Sequence, residues 1–464
     1  MRDSITSHYK EAVQWRRQLH RHPQPAWLEF YSTGLVAEKL SGWGYDLLLG
    51  KDAVAADQRL VLPEPATLEA EYDRAIQAGI EAEFIAPAKG GLTGAVGILR
   101  GASPGPTVGF RFDIDSLEIT ESSDPSHRPA AEGFVSQNLG YSHMCGHDAH
   151  TAMGLLLALH FAENRDKIKG AVKFLFQPNE ENLGGAHAMI EKGLVDDLDY
   201  LFGVHVGVSL NQTGQIGLNV FDWLAMSRFE VTFTGRAAHA AVLPNEGKNA
   251  LLGACAAAAN LYAIARHGAG ASRVNVGVMR AGTTWNIIPD KAYLRMETRG
   301  LTNEINEYMV EKAREVLEGA AKMYGLELEI RPAVSTISAT NSPELIELGT
   351  RVAKTLPSVK EIVPACSTNG SEDICLMMQR VQQRGGKALE ILLGTPIGGG
   401  HHSITFDVDE TVIRNGAEFF AAIYDAVVGN AQFGEKLRRD VRAQSRAGSD
   451  SDAVVRRERS PHEQ

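Results

Sequence analysis

Three short segments of this sequence gather residue types that bind metal ions. In Ser142-His143-Met144-Cys145-Gly146-His147-Asp148, the glycine between Cys145 and His147 lets the chain turn, so a sulfur and an imidazole can converge on one ion. Alone, such a pair is weak, because Cys-x-His arises often by chance. The run AVKFLFQPNEE delivers Glu180 and Glu181 straight after an apolar strand and a proline. That is the carboxyl end, where open α/β sheets place their ligands. Adjacent acids commonly mark a solvated loop, yet here one carboxylate can bind metal while its neighbour takes a proton from an activated water. His205, flanked by valines in GVHVG, reads equally well as a satisfied core histidine. The later pair His401-His402 follows Gly398-Gly399-Gly400 and a strand ending in Leu393. Cys, His, Glu and His donors on separate strand ends are what two ions, a shared water and a nearby base require, and together they favour a hydrolase.

Positioning such donors needs a rigid frame. From Gly94 onward the chain carries short apolar runs (AVGIL, TVGFRF, AVKFLFQ, YLFGVHV) bounded by Gly, Pro or Asp, as strands buried on both faces would be. HTAMGLLLALHFAEN, between the second and third, is long enough for a covering helix, so strands and helices alternate in an α/β layer architecture. Upstream, the first helix is expected around Tyr9–His20, and Ser32-Thr33 is expected to cap a turn before Val36, Leu40 and Trp43. Residues 51–90 hold Pro63, Pro65 and an acidic helical stretch, and read as an insertion with a surface helix. Near Asp222 a second unit begins: an alternating strand at Arg228–Thr234, an Ala-rich helix at Gly247–Arg266, strands at Arg273–Arg280 and Ala292–Thr298, a helix stopped by Gly325, and alternating LELEIR. This β-α-β-β-α-β order is the ferredoxin-like split unit. The expected division is 1–221 and 336–432 for a large α/β domain, 222–335 for the inserted α+β unit, and a disordered, charged tail at 433–464.

Composition excludes several classes. The 464 residues are 44% hydrophobic and 22% charged, with 46 Lys+Arg against 57 Asp+Glu, net −11. No basic cluster with interleaved aromatics precedes the tail, so no nucleic-acid partner is expected. No apolar stretch is long enough to cross a bilayer, which argues against a membrane role. The opening MRDSITSHYK lacks the apolar core of a secretory signal, and four scattered cysteines make no disulfide framework. A cytoplasmic protein is expected.

In their order along residues 10–430, WRRQLHRHPQPAWLEFYST, FRFDIDSLEI, HMCGHDAHTA, FQPNEE, VHVG, GRAAHAAVLPNEGKNAL, NIIP and HHSITFDVDE resemble the metal-dependent aminoacylase and carboxypeptidase family. The likeness is to its amidohydrolase branch of hippurate and indoleacetyl-amino-acid hydrolases. More narrowly, the 51–90 insertion, SHRPAAEGF, GASRVNVGVM and TNGSEDICLMM resemble the A-subunit group of the p-aminobenzoyl-glutamate hydrolases.

The resemblance implies a catalytic α/β domain with a mixed sheet and an inserted ferredoxin-like dimerisation or lid domain. It implies Cys145, His147, Glu181, His205 and His402 as metal ligands and Glu180 as general base. His402 is preferred to His401 because a small polar residue follows it, as in the family pattern. His239 of AAHA matches the residue that steadies the oxyanion, commonly from across a dimer; Asn286 of NIIP and Arg299 of ETRG match positions that grip the substrate carboxylate. By themselves these three also read as turn organisers and a strand-end charge. Asn179 departs from the small residue usual beside the base, and Asp113 and Asp115 stand where distant relatives use a metal-binding pair, so they are expected to orient ligands instead. The implied cofactors are two divalent ions, manganese first and zinc as the alternative. The implied reaction is hydrolysis of an N-acyl amino acid, with p-aminobenzoyl-glutamate the leading substrate and N-acetyl or hippurate-like amides the alternative. The implied assembly is a homodimer or a heterodimer with a homologous B subunit. A mainly structural or regulatory role beside such a partner is the remaining reading.

Overall fold

The computed structural model describes residues 3–429, so the tail at 433–464 lies outside the described residues. The apolar runs form an eight-stranded mixed sheet. Its centre is four parallel strands in the spatial order Lys169–Gln177, Ser103–Asp113, Tyr200–Val206 and Lys387–Leu393. Antiparallel neighbours flank them: Ala95–Arg100 and then Asp46–Leu49 on one side, Gln215–Gly217 on the other, with Glu361–Val363 parallel to that last strand at the edge. Tyr200–Val206 is buried along its whole length, which is why it reads as continuously apolar rather than alternating.

Helices cover both faces. His147–Glu163 has almost no polar side and is buried from His147 to Phe161, where it packs with Asp3–Arg21 and Thr411–Gly429 around Phe110, Phe112, Phe174 and Phe420. Gly185–Ile190 and Ile374–Gln383 close the opposite face through Met189, Met377 and Val381. The parallel strands all end at the same rim, at Asp113, Gln177, Val206 and Leu393, so the segments that follow them meet there.

Residues 225–336 build a four-stranded antiparallel sheet in the order Glu327–Thr336, Ala225–Thr234, Lys291–Gly300, Ser272–Ala281. Helices Ala250–Tyr262 and Asn303–Tyr324 bury one of its faces through Val231, Phe233, Leu294, Ala257 and Leu317. Thr302 caps the second helix by accepting from Ile305 N, and Gly325 ends it at φ +62°. The other face is polar, with Arg228, Glu230, Arg295 and Glu297.

Two expectations of local structure change. The first helix begins at Asp3. Ser32 and Thr33 cap nothing: they are buried inside the helix Phe30–Gly42, and Thr33 Oγ1 instead accepts from Gly94 N at 2.8 Å. A tertiary partner there outweighs the local capping preference of Ser and Thr. The insertion's helix is Pro65–Gln77, with proline in the first turn, docked through Tyr72 and Ala75 onto Phe30, Tyr31 and Leu35. Among the described residues, no helix is long and apolar enough to cross a membrane.

Candidate metal centre

Gly146 has φ +98° and leads into the buried helix, and a Cβ there would stand 2.6 Å from Val206 Cγ2. Only glycine fits, and the turn sends Cys145 and His147 to the same side. The strand Lys169–Gln177 passes through Pro178 and Asn179, at φ +52°, before presenting Glu180 and Glu181. His205 closes the next parallel strand. His402, at φ +62°, is tied down by its backbone N–H donating to Met144 O at 2.8 Å.

These segments bring the predicted donors together. Ligand atoms of Cys145, His147 and His205 lie within 4.8 Å of one another; so do those of Cys145, Glu181 and His402, and those of His147, Glu180 and Glu181. Cys145 Sγ is 3.5 Å from His205 Nε2, Glu181 Oε2 is 3.5 Å from His402 Nε2, and His147 Nε2 is 3.9 Å from both Glu180 Oε2 and Glu181 Oε1. Donors sharing an ion at about 2.0–2.3 Å in a tetrahedral arrangement stand roughly 3.3–3.8 Å apart, close to these spacings.

Unpaired atoms supply a stricter test. His147 Nε2 and Glu181 Oε1 are buried without a hydrogen-bond partner, although such atoms are nearly always paired. The other nitrogen of His147 is taken: Asp115 Oδ1 lies 3.0 Å from Nδ1, which turns Nε2 towards the cluster. The second Asp115 oxygen accepts from Glu181 N at 3.0 Å. Charge tells the same story. Burial, and then the Glu181 and Glu180 carboxylates, push the Cys145 thiol up; burial and the Glu372 and Glu181 charges hold Glu180 well above its usual range. Burial raises Glu181 to about 7, although His147 opposes it. Burial would lower His147, yet Asp113 and Asp115 push it up to about 10, whereas His205 is lowered by burial and by neighbouring His150 and His401. A buried thiol and two buried carboxyls whose pKa values burial raises, presented with S, N and O donors, suit divalent cations.

The remaining predicted residues lie elsewhere. His239 and Asn286 are exposed on the small sheet's unit. His239 pairs with Ile287 across an isolated bridge, Ala240 N donates to Asn286 O at 3.0 Å, and His239 Nδ1 accepts from Ala241 N and Val242 N. These observed bonds do not reach the donor cluster. Arg299 is half-buried, donates to Glu297 Oε1 at 2.8 Å and approaches Ser371 Oγ at 3.4 Å.

Sequence reasoning missed the charges beneath the cluster. Arg111 is fully buried and pairs with Asp113, Glu372 and Asp373. Its signal was present in FRFD: an arginine and an aspartate two apart on one face of a buried strand need partners. His150 pairs with Asp113 and accepts from Val206 N at 3.0 Å. Asp148 is held by Arg16 and His20, each at 2.7 Å.

The profile of Peptidase family M20/M25/M40 matches residues 109–426. An indole-3-acetyl-aspartic acid hydrolase from Enterobacter agglomerans is 45% identical over 412 residues, covering 89% of this chain and 94% of its own. The A subunit of the p-aminobenzoyl-glutamate hydrolase from Escherichia coli K12 is 42% identical over 408 residues, covering 88% and 93%. The crystal structure of an aminobenzoyl-glutamate utilization protein from Klebsiella pneumoniae superposes with a TM-score of 0.76 at 36% identity, over 92% of this chain and 97% of that one. With two buried donor atoms, His147 Nε2 and Glu181 Oε1, that lack a hydrogen-bond partner, and with this breadth of likeness, the chain belongs to peptidase family M20/M25/M40 as a metal-dependent amidohydrolase.

Proposed function

We propose that this chain hydrolyses the amide between an aromatic acyl group and an amino acid, with p-aminobenzoyl-glutamate the leading substrate. The observation that carries the reading is the partnerless His147 Nε2 between Glu180 and Glu181. The names of the two relatives give the substrate class: an aromatic acyl group joined to a dicarboxylic amino acid.

Cys145, His147, Glu181, His205 and His402 would hold two divalent ions, manganese first; the sulfur and imidazoles suit zinc as well. When bound, such ions supply Lewis acidity that lowers the pKa of water and polarises a carbonyl. Glu180, adjacent to the ligands and buried, takes the proton from the attacking water and returns it to the leaving amine nitrogen. Asp115 fixes the His147 tautomer, and Asp113 steadies the cluster through His150. Arg299 and Asn286 hold the amino-acid carboxylate, Arg299 with paired donors. His239 stabilises the charge developing on the amide oxygen. Its exposed position on the small sheet's unit supports delivery into a partner's site.

In this reading residues 222–335 are a ferredoxin-like lid and dimerisation domain, inserted between catalytic parts 1–221 and 336–432. The assembly is a homodimer or a heterodimer with a homologous B subunit, in the cytoplasm. Purified chain with added manganese, alone and with a B-type partner, is assayed on p-aminobenzoyl-glutamate, hippurate and N-acetyl amino acids. Turnover of p-aminobenzoyl-glutamate that Glu180→Gln abolishes supports the proposal. Turnover only in the mixed complex, indifferent to Glu180 of this chain, replaces it with a regulatory role.

A further inference from the structure

The insertion at 51–90 carries an apolar tip whose purpose the hydrolytic machinery leaves unexplained. Leu60, Val61 and Leu62 are consecutive and expose 40%, 54% and 47% of their surface. Three exposed aliphatic residues in a row on a soluble surface call for an occupant. The tip is not a loose loop. The indole N–H of fully buried Trp27 donates to Leu60 O at 2.9 Å. Arg59 lies over the Trp27 ring at 5.7 Å and donates to Ala56 O and Gly90 O. Val61 itself sits at φ +54°, a left-handed conformation that strains a β-branched residue. The fold therefore holds an apolar side chain in a strained, fixed position at the surface.

What lies opposite gives the position meaning. Val61 lines a cleft of about 260 Å³ whose far wall is the polar face of the small sheet, with Asn275, Gly277, Arg295 and Glu297. Asn182, the residue after Glu181, also lines it, so one lining residue adjoins the donor segment in sequence. Gly277 leaves that wall open, for a Cβ there would meet only Asn275 Nδ2 at 3.7 Å. On the tip side the cleft is lined by Val61, whose side chain offers no donor to a carboxylate. The other side carries Arg228 and Arg295, paired with Glu297 at 3.4 Å and Glu230 at 3.0 Å. An amide of a free amino acid, whose acyl end is apolar and whose other end is anionic, fits between them in one direction.

We infer that the Leu60-Val61-Leu62 tip is the wall of an acyl-group subsite, and that it selects aromatic over short aliphatic acyl groups. The inference rests on the amide reading above and adds the residues that set its acyl preference. The ring lies against Val61, and the amino-acid end points away from the tip, its carboxylate held by Arg299 and Asn286 as in the proposed reaction.

The test uses the full chain with manganese and compares kcat/KM for N-benzoyl-glutamate and N-acetyl-glutamate in the wild type, Val61→Gly and Val61→Asp. Glycine suits φ +54°, so Val61→Gly relieves strain and removes only the apolar contact. The benzoyl-over-acetyl ratio should fall about 10-fold in Val61→Gly and further in Val61→Asp. An unchanged ratio overturns the inference, and so does a change confined to glutamate over alanine with the acyl group held constant, which would make the tip an amino-acid wall. A second arm titrates the metal-free chain calorimetrically with the same two compounds. Preferential binding of the benzoyl compound that Val61→Gly weakens, with no turnover of either amide by the manganese-loaded chain of the first arm, would sink the hydrolase reading and leave the subsite standing. Equal binding of both compounds by the wild type overturns the subsite whatever the activity.

Discussion

The Asp115 carboxylate stands 3.0 Å from Nδ1 of His147 and, through its other oxygen, 3.0 Å from the backbone nitrogen of Glu181. One side chain thus sets both the imidazole and the acid that face each other across the cluster. Asp115→Ala should weaken metal binding by about 10–100-fold, as loss of an orienting partner generally does. Calorimetric titration with Mn²⁺ measures it, and Asp115→Asn, which can keep one of the two contacts, should fall between.

Glu180→Gln should lower kcat by about 10²–10⁴-fold and leave KM and metal content nearly unchanged, because in the proposed reaction the residue moves a proton and holds no ion. A matching loss of bound metal would make Glu180 a ligand instead.

Chelation should lower thermal stability, since the partnerless buried atoms of His147 and Glu181 then lose their only counterpart. An ion present at 100 times its dissociation constant contributes about 2.7 kcal/mol. Differential scanning calorimetry before and after chelation, with Mn²⁺ restored, reads this directly. An unchanged melting temperature would count against a resident ion.

If His239 works across a dimer, mixing Glu180→Gln with His239→Ala chains should restore activity that neither has alone. Random pairing of two such chains leaves roughly a quarter of the sites intact in a symmetric dimer. No recovery after co-refolding would place His239 within its own chain's chemistry or outside the reaction.

Acid should unfold the metal-free chain partly through Asp407. Burial alone would raise this carboxyl, but Arg16 and Arg128 hold it at about 2. A folded value below the unfolded one stabilises fully above the unfolded value of 3.8 and is lost as pH falls towards 2, about 2 kcal/mol in all. Urea unfolding at pH 6, 4 and 3 should show stability falling, and Asp407→Asn should flatten that slope.

Much of this molecule is legible from its residues. The four central strands are readable because burial on both faces leaves unbroken apolar runs, and the small unit because one-sided burial leaves alternation in its strands and a helical stripe that stops at Gly325. The donor segments stand out because each follows such a run. Thr33 misleads because its partner, Gly94, is distant in sequence. The Arg111, Glu372 and Asp373 association stays hidden for the same reason: Arg111 has only Asp113 near it in sequence, and the other two charges lie 261 and 262 residues away.

The donors run from Cys145 to His402, and the backbone of His402 is fastened to Met144. During synthesis the 225–336 sheet can therefore complete itself while the ion pocket is still missing a corner, because that corner emerges from the ribosome more than sixty residues later. A donor set that includes His402 is complete only in the finished polypeptide.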